Sequence, residues 1–198
     1  VRSGNFHKAI HLDIKENFEL FGKKILIVGF GRIGKKLIKK CIGFDMEVLV
    51  YDPYVDATEI QKMNGIKVSN LEEGLKHADI LSLSTPLTNE TRNLITLKEM
   101  KLMKKNCILI NSARGGIVNE VDLNYALVNN IIAFAGIDVF EKEPPDINNP
   151  LLKNKKVLLS PHAATFTKEC LEDMSLETGQ NLIDFFENKI DKNKIISL

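Results

Sequence analysis

The sequence predicts an open, doubly wound α/β fold, in which helices cover both faces of a parallel sheet. Apolar runs of strand length recur along the 198 residues, and helical patterns lie between them. These runs are almost continuous in Val, Ile and Leu rather than alternating with polar residues, which is typical of strands buried on both faces. Alternation of strands and helices favours parallel strands joined by right-handed crossovers.

Six apolar runs are predicted to be the strands of this sheet. They cover 24–30 (KILIVGF), 47–52 (EVLVYD), 80–85 (ILSLST), 107–113 (CILINSA), 132–140 (IAFAGIDVF) and 157–162 (VLLSPH). Helical patterns follow the first two runs, and a long helix is predicted from about Thr167 to Asn188. Two further helix starts are indicated by Thr96 with Glu99, which fits a capping box, and more weakly by Asn119 with Asp122.

Charge and composition exclude several classes of protein. Lys and Arg total 27 against 26 Asp and Glu, so the net charge is +1, and no basic field typical of a nucleic-acid-binding protein is present. No apolar stretch approaches the roughly 20 residues of a membrane-spanning helix, and the N-terminus lacks the apolar core of a signal peptide. Three widely separated cysteines indicate reduced, buried thiols in a cytoplasmic protein rather than a disulfide or metal site.

Three glycines lie between the first predicted strand and the first helix. Gly29, Gly31 and Gly34 form the pattern G-x-G-x-x-G. In a dinucleotide site the first glycine makes the turn, the second lets a pyrophosphate approach the backbone, and the third lets helix and strand pack closely. The helix N-terminus offers unpaired N–H groups to the phosphates. A bare structural turn is the alternative.

Asp52 favours the dinucleotide interpretation. It ends the second predicted strand, about 20 residues after the glycines, where an acidic residue accepts the hydroxyl groups of the adenosine ribose. A carboxylate at this position repels a 2′-phosphate, so NAD is expected rather than NADP. The sequence Asp-Pro also terminates a strand, and both roles are compatible.

Polar residues follow the later predicted strands, at the sheet edge where ligands bind in open α/β folds. They are Thr85, Arg114, Asp138, Glu143 and His162. An imidazole suits proton transfer, a neighbouring carboxylate orients it, and a guanidinium holds a substrate carboxylate by two hydrogen bonds. Next to a nicotinamide, this set predicts hydride transfer at a carbinol carbon. Taken singly, three of them have structural alternatives: His162 as a hydrogen-bonded histidine, Arg114 as a surface-paired arginine and Glu143 as a solvated loop charge.

The order of longer motifs resembles one family of enzymes. The segments GFGRIGKK, YDPY, STPLTNETRNLI, NSARGGIVNEVDL, GIDVFEKEPP and SPHAATFTKE occur in that order between about Lys23 and Asn188. Together they resemble the NAD-dependent D-isomer-specific 2-hydroxyacid dehydrogenases, and the Rossmann-type NAD-binding domain of that family in particular. Within the family, the segments SPHAATFTKE and YDPY favour the branch of phosphoglycerate and hydroxypyruvate dehydrogenases.

The resemblance implies a role for each matching residue. Arg114 would bind the substrate carboxylate, His162 would be the acid/base, and Glu143, rather than Glu141, would be its carboxylate partner. The implied cofactor-binding residues are Gly29, Gly31, Arg32, Ile33, Gly34, Asp52, Thr85, Pro86, Thr91, Ala113, Asp138 and Ala164. NAD is the implied cofactor, a small 2-hydroxyacid the substrate, and a homodimer through the NAD-binding domain the assembly; no metal is implied.

One departure from the family concerns domain organisation. Members are longer, and most of their substrate-binding lobe precedes the cofactor domain. We therefore expect an inter-domain connection over 1–22, the NAD-binding domain over 23–166, and a helix with a tail over 167–198 that returns toward a lobe mostly absent here. The chain alone is expected to be inactive.

Other functions stay open from the sequence alone. A D-3-phosphoglycerate dehydrogenase-like enzyme is the first expectation, and a glyoxylate/hydroxypyruvate reductase is the alternative within enzymes. A non-catalytic NAD(H)-sensing module of the same fold is the alternative outside them. The presence of Arg114, Glu143 and His162 together disfavours a sensing module.

Overall fold

The computed structural model of the chain describes residues 19–191. The described residues divide into two compact units, 19–159 and 160–191. The predicted connection over 1–22 therefore lies largely outside the described residues, as does the end of the predicted tail over 192–198.

The first unit contains a seven-stranded parallel sheet in the order β3-β2-β1-β4-β5-β6-β7. The strands are β1 (Lys24–Val28), β2 (Glu47–Tyr51), β3 (Ile66–Lys67), β4 (Ile80–Leu83), β5 (Ile108–Asn111), β6 (Phe134–Ile137) and β7 (Val157–Leu159). β1 is central, because it pairs with β2 on one side and with β4 on the other. The predicted doubly wound parallel sheet is thus confirmed.

Helices connect the strands. In the first unit they are α1 (Arg32–Gly43), α2 (Ala57–Gln61), α3 (Leu71–His77), α4 (Leu97–Met100) and α5 (Glu120–Val128), with a 3-10 turn at Pro150–Lys153. The second unit contains α6 (Lys168–Phe186), which begins after Thr167 as predicted. The capping box of Thr96 and Glu99 is present at α4, and the Asn119 side chain caps α5.

Two apolar clusters lie on opposite faces of the sheet, because successive side chains of a strand point to opposite sides. Ile25 and Ile27 of β1 pack with Ile38 of α1 on one face. Leu26 and Val28 pack on the other face, with a cluster that includes residues of α3, α4 and α5. This double cover explains why the strand sequences are apolar throughout rather than alternating.

β3 was not predicted from the sequence. It has two residues, Ile66 and Lys67, and it pairs with Leu49 and Val50 at the edge of the sheet. α2, the helix after the second predicted strand, has only five residues, and the chain turns at Asn64, with φ +59°, before entering β3.

In the part of the chain that the structure describes, no helix is both long and apolar enough to cross a bilayer. Cys41 and Cys107 are buried as expected, and burial raises the pKa of the Cys107 thiol to about 12. Cys170 differs from the expectation, because it is only partly buried.

Candidate active site

The loop between β1 and α1 is built on two glycines whose roles are structural. Gly29 has φ +95°, and a Cβ there would lie 2.6 Å from the carbonyl oxygen of Ser84 in the loop after β4. A Cβ at Gly34 would collide with the carbonyl oxygen of Gly29. These two positions therefore need glycine so that α1 and the neighbouring loop can approach the end of β1 closely.

Gly31 has a different role, because the space around it is open. Apart from Gly31 itself and its two chain neighbours, no heavy atom lies within 4 Å of the Cβ that an alanine would add there. Gly31 is also the N-cap of α1, and it has no side chain to accept the first N–H groups of the helix. Free space next to the unpaired amides of a helix N-terminus is what a pyrophosphate requires.

Asp52 lies directly after β2 and joins two parts of the site. Its Oδ2 accepts the Phe30 N–H at 2.8 Å, and its Oδ1 accepts the Tyr54 N–H at 2.9 Å. The carboxylate therefore holds the glycine loop in place, which is a structural role. A carboxylate has about four acceptor positions, so two remain for ribose hydroxyl groups.

A cleft of about 370 Å³ opens between these loops at the carboxyl ends of β1, β2 and β4. The predicted cofactor-binding residues that line it are Gly29, Gly31, Asp52, Thr85, Pro86 and Thr91. Thr91 supports the loop as well, because its hydroxyl group donates to the Pro86 carbonyl oxygen at 2.6 Å. The fold thus places predicted cofactor-binding residues from three separate loops around one cleft.

A second cleft of about 200 Å³ shares Ser84, Thr85 and Pro86 with the first. The predicted residues Ile33, Ala113 and Arg114 line it. The two clefts therefore adjoin along the loop after β4. Cofactor atoms would extend from the side of Asp52 toward the side of Arg114.

Arg114 is presented by a turn that a buried asparagine holds. Asn111, the last residue of β5 and 2% exposed, donates from Nδ2 to the Arg114 carbonyl oxygen and accepts the Ala113 N–H at Oδ1. The Arg114 side chain itself is exposed, and its Nη1 donates to the Ala113 carbonyl oxygen at 2.6 Å. This guanidinium lies at the edge of the second cleft and is accessible to a ligand.

The remaining predicted residues lie in two places. Asp138 follows β6 and is 7% exposed, and its N–H donates to the Asn111 carbonyl oxygen. Glu143 lies in the exposed loop after Phe140, where its Oε1 accepts the Phe140 N–H at 3.0 Å. Both belong to the unit that holds the sheet.

His162 and Ala164 belong to the second unit. His162 is exposed and has a left-handed backbone, with φ +53°. The pairing of His162 with Glu143 stays a prediction. In residues 19–191, no three His, Cys, Asp or Glu side chains are grouped as a metal site requires.

Several lining residues were missed from the sequence. Tyr54 and Glu90 line the first cleft, and so do Ser84, Thr88 and Leu94. The available signal was position, since Tyr54 comes two residues after Asp52 and Glu90 lies in the loop after the predicted strand 80–85. Asn111 was missed as a support of Arg114, although a polar residue at the end of an apolar strand was visible.

The lining fits a dinucleotide. The open space at Gly31, the helix N-terminus behind it and the acceptor capacity of Asp52 match the pyrophosphate and ribose that such a ligand presents. An exposed arginine lies at the opposite end, on the adjoining cleft.

Comparison with known proteins agrees with this geometry. The family model described as D-isomer specific 2-hydroxyacid dehydrogenase, NAD binding domain, matches residues 1–164. The chain is 41% identical over 198 residues to a glyoxylate reductase of Thermococcus litoralis, covering 98% of this chain and 59% of the reductase. It is 40% identical over 154 residues to a D-3-phosphoglycerate dehydrogenase of Methanocaldococcus jannaschii, covering 78% of this chain and 29% of that enzyme.

Solved structures show the same likeness. The crystal structure of D-lactate dehydrogenase with NAD+ from Lactobacillus jensenii superposes with a TM-score of 0.83 at 28% identity, over 99% of this chain and 62% of that one. The chain thus spans less than two thirds of the length of each of these three proteins. The resemblance inferred from the sequence motifs is confirmed.

Proposed function

Because the chain belongs to the D-isomer specific 2-hydroxyacid dehydrogenases as their NAD-binding domain, we propose that it is the cofactor half of an enzyme interconverting a D-2-hydroxyacid and its 2-oxoacid. NAD is its cofactor and supplies the hydride acceptor, or in its reduced form the hydride. The chain's own residues would bind and orient the cofactor and the substrate, and would exchange a proton with the substrate.

The observation that carries this proposal is the position of Arg114. Its guanidinium is exposed on a turn held by Asn111, and it lines a cleft that adjoins the one beside Asp52. A planar guanidinium at the far end of a dinucleotide cleft suits a carboxylate next to the reacting carbon, which it can bind by two hydrogen bonds. An NAD(H)-sensing module has no need of such a group.

Proton transfer is assigned to the His162 imidazole, and Glu143 is proposed as the carboxylate partner of that ring. An imidazole exchanges protons near neutral pH, so it can take the hydroxyl proton during oxidation and return it during reduction. A carboxylate beside it would orient the ring and favour the charged imidazole. Both assignments follow the motif positions in the sequence and stay predictions.

Two substrates of one chemical class are proposed. D-3-phosphoglycerate is the first expectation from the motifs, and its support is the relative of that name at 40% identity. Glyoxylate is the second candidate, and its support is the 41% identity to a glyoxylate reductase over nearly the whole chain. A homodimer through the NAD-binding domain and a cytoplasmic location are further predictions.

The test is an assay of the complete polypeptide and, separately, of the chain over residues 1–198. Oxidation of NADH is followed by its absorbance with glyoxylate, hydroxypyruvate and 3-phosphohydroxypyruvate. We expect the complete polypeptide to reduce at least one of them and the chain alone to bind NADH without turnover. A complete polypeptide that binds NADH but reduces no 2-oxoacid would contradict the proposal and favour the sensing module.

A further inference from the structure

A hydrogen bond connects two loops across the first cleft. The Tyr54 hydroxyl group donates to Oε2 of Glu90 at 2.7 Å. Tyr54 lies in the loop after β2 and Glu90 in the loop after β4, and β1 lies between these two strands in the sheet. The bond therefore joins two rims of the cleft over the carboxyl end of β1.

Stability does not account for this bond. Tyr54 is 79% exposed and Glu90 is also exposed, so water competes for both groups. Both side chains line the cleft at the end where Asp52 lies. A contact of little value to the fold, positioned at a ligand cleft, indicates a role toward the ligand.

The charge of the cleft is the second observation. Of the described residues that line it, Asp52 and Glu90 are the charged ones, and both are negative. The nearby Lys35 ammonium lies 3.2 Å from Glu59, and neither Lys35 nor Arg32 lines the cleft. The hydrogen bond to Glu90 and the charge of Glu90, with smaller contributions from burial and the charge of Asp52, raise the pKa of Tyr54.

The hydrogen bonds form a continuous chain around the rim. Asp52 binds the N–H groups of Phe30 and Tyr54, and the Tyr54 side chain binds Glu90. The loop that carries Glu90 is held in turn, because the Thr88 N–H donates to the Thr91 hydroxyl oxygen at 2.7 Å. Two backbone N–H groups offset part of the Asp52 charge, whereas Glu90 accepts from a neutral hydroxyl group.

We propose that Tyr54 and Glu90 determine cofactor specificity: Tyr54 holds the Glu90 carboxylate at the cleft as a second negative charge beside Asp52, and the two carboxylates together reject the 2′-phosphate of NADP. The inference rests on the proposed use of this cleft for the adenosine half of the cofactor. Glu90 excludes the phosphate by charge, and Tyr54 is a positioning residue that acts through Glu90.

The test compares NADH and NADPH dissociation constants, measured by calorimetric titration of the chain and its variants. Glu90→Gln keeps the size of the side chain and removes its charge. The dissociation constant for NADPH divided by that for NADH should fall about fivefold, which corresponds to the loss of one charge–charge repulsion near water. NADPH binding should strengthen while NADH binding stays within about twofold.

Tyr54→Phe removes the hydroxyl donor alone. It should lower the same ratio by about twofold, as expected for loss of one exposed hydrogen bond, and should add nothing in the double variant with Glu90→Gln. In 1 M salt, where the Debye length is about 3 Å, the difference between Glu90→Gln and wild type should largely disappear. Tyr125→Phe and Glu72→Gln, exposed positions that line neither cleft, are the matched controls.

The outcomes separate this inference from the proposed function. Saturable NADH binding with an unchanged ratio in Glu90→Gln would overturn the inference alone. Equal weakening of NADH and NADPH binding would also overturn it, because Tyr54 and Glu90 would then contact both cofactors without distinguishing them. A folded wild-type chain that binds neither nucleotide would overturn the assignment of the cleft as well.

Discussion

Gly115→Ala is expected to destabilise the fold by about 3 kcal/mol or more, because the added methyl group meets main chain rather than a movable side chain. Its Cβ would collide with the carbonyl group of Phe140 and would lie 2.5 Å from the Glu141 nitrogen. Gly115 follows Arg114 directly, so this close approach fixes the turn after β5 against the segment after β6. The free energy of unfolding is measured by urea denaturation followed by circular dichroism.

Gly43→Ala is the matched control for this substitution. Gly43 is the last residue of α1, and outside its own helix and chain neighbours no heavy atom lies within 4 Å of its added Cβ. Alanine favours a helix over glycine by about 1 kcal/mol in the helix interior, so stability should be unchanged or slightly increased. Similar unfolding free energies for Gly115→Ala and wild type would show that the turn carrying Arg114 is not fixed in this way.

Arg114→Ala is expected to reduce kcat/KM of the complete polypeptide by about 10²- to 10³-fold, as removal of a charged group that binds the reacting substrate does. NADH affinity should stay within about twofold of wild type, since Arg114 lines the adjoining cleft and not the one that contains Asp52. Steady-state kinetics with the preferred 2-oxoacid, alongside NADH titration, measure the two effects separately.

Arg114→Lys provides the conservative comparison. It keeps the positive charge but loses the planar pair of donors, so partial activity is expected, between that of Arg114→Ala and wild type. Lys62→Ala, which removes an exposed cation that lines neither cleft, should behave as wild type. Full turnover in Arg114→Ala would remove the substrate-carboxylate role from this residue.

The strands that are buried on both faces of the sheet were predictable from the sequence. β1, β4 and β5 are covered by side chains on both faces, so their apolar runs are visible without any knowledge of the fold. β3 carried no such signal, because an edge strand of two residues is defined by its pairing with β2 and not by its composition. Ile66 is 50% exposed there, and its neighbour is a lysine.

In the candidate site, too, some features were predictable from the sequence and others were not. The glycines and Asp52 were predictable because their conformational and chemical requirements are local and fall at fixed spacing. The bond between Tyr54 and Glu90 was not, since it joins loops 36 residues apart that become neighbours only through the strand order β2-β1-β4. The G-x-G-x-x-G pattern also assigns different roles to its glycines, and the structure divides them in the same way, because a Cβ would meet main chain at Gly29 and Gly34 but open space at Gly31.

The most direct test of the account is a titration of the chain with NADH, followed by the fluorescence of the reduced nicotinamide, in wild type and in Gly31→Ala. Because Gly31 has open space around it, the variant should fold as wild type does. We predict saturable binding to wild type and binding weakened about tenfold or more in Gly31→Ala, since the methyl group occupies the approach of the pyrophosphate. No saturable binding to the folded wild-type chain, or equal affinity in the two proteins, would contradict the central claim that NAD binds over this loop.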